Sequence, residues 1–191
     1  GRFFYRLGYD VFRLNLRDHG NSHCLNEGLF HGALTEETFR AVREIALRQP
    51  HIPCYLIGFS LGGNFAIRVA LKQSISPITN LKMVFSISPA LDPYKSTLAI
   101  DKGPAVYRRY FMLKWKRSLR QKQKCFPKIY QFDGVLHHNT LMGLTEDIMK
   151  WYPEFRNYRE YFNLYTLTGD VLSSLAIPVF IITAQDDPAV P

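Results

Sequence analysis

Residues 53–72 read Pro53-Cys54-Tyr55-Leu56-Ile57-Gly58-Phe59-Ser60-Leu61-Gly62-Gly63-Asn64-Phe65-Ala66-Ile67-Arg68-Val69-Ala70-Leu71-Lys72. The first five form a short apolar run of strand type, and residues from Gly63 onward carry helical periodicity. Between them stands Gly58-Phe59-Ser60-Leu61-Gly62, a Gly-x-Ser-x-Gly pattern. A chain that leaves a strand, turns sharply and enters a helix thrusts the intervening serine hydroxyl out at the carboxyl edge of a sheet. Side chains at the two glycines are expected to crowd the neighbouring strand and helix. The helix N-terminus brings its unpaired N–H groups beside the serine. The stretch therefore predicts a nucleophile, and the remaining chain has to supply its partners.

Working outward, Tyr9–Leu16 reads as a strand after the turn-forming Gly8. Arg17-Asp18-His19-Gly20 turns away, and residues 21–34 read as loop. Thr35-Glu36-Glu37-Thr38 opens a helix, with Thr35 as cap and two glutamates at the positive dipole end. Phe39, Val42, Ile45 and Ala46 give it one apolar face, and Gln49-Pro50 ends it. Leu81–Ser88 reads as a third strand and Ile177–Thr183 as a fourth. Strands alternating with helices imply right-handed crossovers and a parallel sheet. Residues 94–174 show helical periodicity and many aromatics but no convincing strand. They are expected as a helical lid inserted between core segments 1–93 and 175–191.

A chain of 191 residues with 47% hydrophobic and 14% aromatic content is long and apolar enough to bury a core. No apolar run approaches the roughly 18 residues of a membrane span, and residues 1–8 lack the apolar centre of a signal peptide. A start without methionine and an end on Asp187-Pro188-Ala189-Val190-Pro191 lead us to expect a fragment. Cys24, Cys54 and Cys125 are odd in number and far apart, which argues against a disulfide framework or a zinc site and favours a reducing, cytoplasmic setting.

The net charge of +8 has one origin. Residues 101–128 hold ten Lys and Arg against Asp101 alone, with Tyr107, Tyr110, Phe111 and Trp115 interleaved. Such a stretch reads first as a solvated amphipathic helix over a core. Its next reading is peripheral contact with an anionic membrane through residues 102–128, and nucleic acid comes last.

A serine hydroxyl attacks well only when a base takes its proton and a third group orients that base. The acid is expected just after a later strand. Asp187 fits, with Asp186 the close competitor; the alternative is that one or both merely form an Asp-Pro turn. No histidine follows Asp187. His19, His23, His31, His51, His137 and His138 all precede it, so the base is expected beyond Pro191. His137-His138 does not read as a metal pair, because adjacent residues point apart and no matching ligands stand nearby. No cofactor is called for. The Leu61 N–H is one oxyanion donor, and the second is expected before Gly1.

Leu14-Asn15-Leu16-Arg17-Asp18-His19-Gly20, Ser22-His23, Leu25–His31 and Gly58–Asn64 together resemble the YheT-like α/β-hydrolases. Phe132-Asp133 and Ala184–Pro188 are similar to later signatures of that family. The resemblance implies an α/β-hydrolase fold, here incomplete at both termini, with a parallel-sheet core and helical lid. It implies a serine esterase or lipase-like activity on carboxylic esters, acylglycerols or phospholipids among them, with Ser60 as nucleophile and Asp187 as triad acid. Asp18-His19-Gly20 and Asn26-Glu27-Gly28 are read as turn-forming rather than catalytic. Asn64, one helical turn past Ser60, is placed to brace the elbow. The rival expectations are a non-catalytic binding protein of the same fold and a basic membrane-surface binder.

Overall fold

A computed structural model describes residues 1–190. Its centre is a three-stranded parallel sheet of β1 (Cys54–Phe59), β2 (Leu81–Ile87) and β3 (Val179–Ile182), in the order β1-β2-β3. Ile57, Phe85 and Phe180 stand in one register row, and Phe59, Ile87 and Ile182 in the next. All three strands thus end at the same edge. The helix α1 (Arg2–Arg6) opens the chain, α2 (Thr35–Leu47) precedes β1, and α3 (Leu61–Gln73) connects β1 to β2.

One face of the sheet is covered. Phe39, Val42 and Ala46 of α2 meet Val69 of α3, Ile78 and Leu81, while Ala66 and Ala70 pack on Val84. The opposite face carries Tyr55, Ile57, Phe59, Phe180 and Ile182, all exposed. β1 is therefore not the wholly buried strand its apolar run predicts; it alternates, as a strand covered on one side does.

Between β2 and β3 the chain is helical: α4 (Pro93–Lys102), α5 (Ala105–Cys125), α6 (Leu141–Ile148) and α7 (Tyr158–Asn163), with short 3-10 turns at Met149–Trp151 and Gly169–Ser174. This segment has an aromatic core of its own, in which Tyr130, Phe132, Tyr152, Phe155, Tyr161, Phe162 and Tyr165 are buried together. Capping residues mark its boundaries. The Asp92 carboxylate accepts the Lys95 N–H at 2.9 Å, Thr140 accepts from Gly143 at 3.2 Å, and Asn157 accepts from Arg159 and Glu160. Among the described residues no helix is long and apolar enough to cross a membrane.

Three expectations need correction. Residues 9–16 form no strand, and Tyr9, Val11, Phe12 and Leu14 are exposed. A strand exists by pairing, and β1 pairs only with β2 among the described residues, so β-propensity at 9–16 finds no ladder to join. Thr35 does not cap α2. Leu34 holds the cap position, because the Thr35 hydroxyl accepts a hydrogen bond from the Arg68 guanidinium instead. Finally, Cys24 and Cys125 form a disulfide, their Cα atoms 5.1 Å apart across 101 residues of sequence. Spacing along the chain hid this pair, because the loop after Arg17 folds back onto the C-terminal end of α5. The cysteine count therefore carries no argument for a reducing compartment.

That return is held by a buried charge. Lys122, on α5, is 0% exposed and its ammonium reaches Asp18 Oδ1 at 2.9 Å. It also donates to the carbonyls of His23, Asn26 and Gly28 at 3.3, 2.5 and 2.8 Å. Asp18 Oδ2 accepts the Phe30 N–H at 2.8 Å, and Asp18 itself adopts φ 57°. Asp18 is more than a turn former: it is the counter-charge of a cation that closes the whole 18–30 loop. Lys122 belongs to the run read as solvated, and of the run's ten basic residues it is the one that is buried.

Candidate active site

Ser60 stands between β1 and α3 with φ 51° and ψ −122°. A non-glycine residue at positive φ stores about 1–3 kcal/mol of strain. The strain is held by fixed neighbours: the Ser60 N–H donates to Ile87 O at 2.9 Å, and its carbonyl accepts the Asn64 N–H at 3.1 Å. Its glycine neighbours differ from expectation. A β-carbon on Gly58 would lie 2.2 Å from Gly62 O and 2.8 Å from Gly63 Cα, so no side chain fits. A β-carbon on Gly62 meets nothing within 4 Å. The second tight position is Gly63, where it would stand 2.7 Å from Ser86 Oγ and 3.2 Å from Pro89 Cβ. Crowding thus falls on Gly58 and Gly63, not on Gly58 and Gly62.

Serine at a helix N-cap ordinarily accepts a hydrogen bond from the second or third N–H of the helix. Ser60 makes no such bond, and its side chain is exposed. Among the described residues the hydroxyl has no hydrogen-bond partner. Leu61 follows as the first residue of α3, where the N–H has no acceptor within the helix and points with the positive end of the dipole.

The base of the elbow is braced from the buried side. Asn64 donates to Ala90 O at 2.7 Å, just beyond β2, and to Tyr165 O at 2.8 Å in the helical segment. Its Oδ1 accepts from Arg68 Nε at 2.8 Å. Arg68 also donates to Gly32 O at 2.6 Å and lies 4.3 Å over the Phe65 ring. Burial lowers the Arg68 guanidinium to about 10, with Tyr165 and Tyr161 opposing the shift. Asn64 therefore braces the elbow as expected, but it does so by tying α3 to two other segments. Arg68 was missed in the sequence, where an arginine four residues on from Asn64 was the available signal.

Asp187 follows β3 in a turn. Its Oδ1 accepts the N–H groups of Ala189 at 2.9 Å and Val190 at 3.1 Å. The carboxylate thus serves its own loop, as the turn alternative anticipates, and neither bond uses Oδ2. Asp186 is exposed. Ser60 and Asp187 leave the same sheet edge from the two outer strands, with Ser88 N–H bonded to Ile182 O at 2.7 Å between them. Two strand spacings put the strand ends about 10 Å apart.

No histidine is brought to that gap by a hydrogen bond among the described residues. His23 Nε2 meets Ser118 Oγ at 2.8 Å, His31 pairs with Glu154 at 3.0 Å, His138 pairs with Asp147 at 2.6 Å, and His19 Nδ1 meets Arg17 O at 2.8 Å. Burial lowers the His31 imidazole below its ordinary value, with Glu154 pulling the other way, and lowers His23 likewise. The His137 and His138 rings lie 4.3 Å apart, and no group of three His, Cys, Asp or Glu side chains is disposed for a metal among the described residues.

The family model described as serine aminopeptidase, S33, matches residues 1–191. No curated protein and no solved structure matches the chain.

Proposed function

The chain belongs to the serine aminopeptidase S33 family of α/β-hydrolases, and on that premise we propose that it is a serine hydrolase that cleaves carboxylic esters through Ser60. The observation that carries this reading is the elbow: a serine at positive φ, at a helix N-cap, with a hydroxyl that caps nothing. In this reading Ser60 Oγ attacks the ester carbonyl carbon as its proton passes to a histidine base. The oxyanion accepts the Leu61 N–H, one donor of a kind worth roughly 3–4 kcal/mol to the transition state. Collapse expels the alcohol, which takes the proton back from the imidazolium, and leaves an acyl-serine. Water then attacks that acyl group by the same route and releases the acid. Asp187 Oδ2 orients the imidazole, and the helices between β2 and β3 form a lid over the carboxyl edge.

The YheT-like resemblance at residues 14–31 and 58–64 supports the ester as substrate, with acylglycerols or phospholipids as the lipid form. The family's own description supplies the competing substrate, an amide at a peptide N-terminus. Turnover of a p-nitrophenyl ester series against amino-acid p-nitroanilides separates them. Ester turnover that Ser60→Ala abolishes is expected. Anilide turnover above ester turnover replaces the substrate, and turnover of neither assigns the fold to binding.

A further inference from the structure

We propose that the outward face of α5 docks the protein on an anionic phospholipid surface. The helix spans 21 residues without one Asp or Glu. Met112, Leu119 and Lys122 face inward and are buried. On the opposite side Val106, Tyr110 and Leu113 follow one another at helical spacing, and Arg117, Arg120 and Lys124 continue the same stripe. Val106 is 67%, Tyr110 55% and Leu113 69% exposed, so the three make one outward apolar patch on consecutive turns. Among the described residues only Lys122 on this helix pairs with a carboxylate, so the stripe's cations keep their full attraction for a partner.

This order of residues fits a bilayer. Aliphatic and aromatic side chains in the first half suit the boundary of headgroup and acyl chain, and the cations of the second half suit lipid phosphates. Nucleic acid would satisfy the cations and find one stacking face in Tyr110, but Val106 and Leu113 on either side of it offer only aliphatic surface, which suits acyl chains. The depression over the stripe, about 630 Å3, is shallow and lined entirely by α5, so it offers a surface and not an enclosed ligand site. Position agrees as well. The turn before α5 abuts the loop of Asp187: a β-carbon on Gly103 would lie 3.7 Å from Pro188 O. The apolar end of the stripe therefore begins near the loop that carries Asp187.

The test is co-sedimentation of the full chain with phosphatidylcholine vesicles, with and without phosphatidylserine, at low and high salt. Binding to the mixed vesicles is expected, weakening as salt rises. Charge reversal in Arg117→Glu/Arg120→Glu/Lys124→Glu is expected to weaken it by roughly 100-fold, and Val106→Ser/Leu113→Ser to weaken it at high salt. Arg43→Glu/Arg48→Glu, exposed on α2 and at its C-cap, is the control away from α5 and should bind as the parent does. Ser60→Ala should bind unchanged, so docking and catalysis fail separately. Equal binding to pure phosphatidylcholine, no effect of the charge reversal, or tighter binding to duplex DNA than to vesicles overturns the proposal, the last in favour of nucleic acid.

Discussion

Gly58 and Gly62 look equivalent in the motif, and the backbone makes them opposites. Gly58 packs its α-carbon against the first turn of α3, so Gly58→Ala must push the helix off the strand. A loss of about 3 kcal/mol is expected in urea unfolding. Gly62→Ala adds a methyl into open space on a helix, where alanine is favoured over glycine by up to about 1 kcal/mol, so stability should hold or rise. Equal losses at both positions would contradict this geometry. The sequence shows that a tight turn surrounds Ser60, from the glycines that flank it. Which glycine bears the contact depends on how strand and helix cross, and no local pattern encodes that.

Helix α5 shows what periodicity reveals and what composition hides. Ten basic residues in residues 101–128 look alike when counted. Placed on a helix, Met112, Trp115, Leu119 and Lys122 share one stripe, so Lys122 falls on the apolar side, and there it is buried against Asp18. The signal was present in the spacing, although its partner, more than a hundred positions away, was not. Removing one member of a buried pair strands the other charge, at a cost of about 3–5 kcal/mol. Lys122→Met should lose that much by denaturant unfolding, and Lys122→Met/Asp18→Asn should recover part of it. A Lys122→Met variant as stable as the parent would show the pair to be dispensable. Residues 9–16 teach the converse: strand-like chemistry was legible there, but a strand also needs a neighbour, and none of the described residues provides one.

At the scale of the molecule, the alternation of strands and helices was enough to read a parallel sheet with a helical segment between its last two strands. Long-range closure was not legible. The Cys24–Cys125 bond and the Lys122 cage both join the 18–30 loop to α5, and together they fasten the N-terminal third to the helical segment. A cross-link enclosing 101 residues of separation restricts the unfolded chain strongly. Reduction, or Cys24→Ser, should lower stability by about 2–4 kcal/mol, read as a shifted urea midpoint. Cys54→Ser should leave the response to reductant unchanged, since Cys54 is unpaired.

The nucleophile is the claim on which the functional account stands. Its most direct test is labelling of the protein with a fluorophosphonate probe, followed by peptide mapping of the modified residue. The account predicts a single phosphonylated serine at Ser60 and no labelling of Ser60→Ala. A label mapped to another serine, or Ser60→Ala labelled as strongly as the parent, would contradict it.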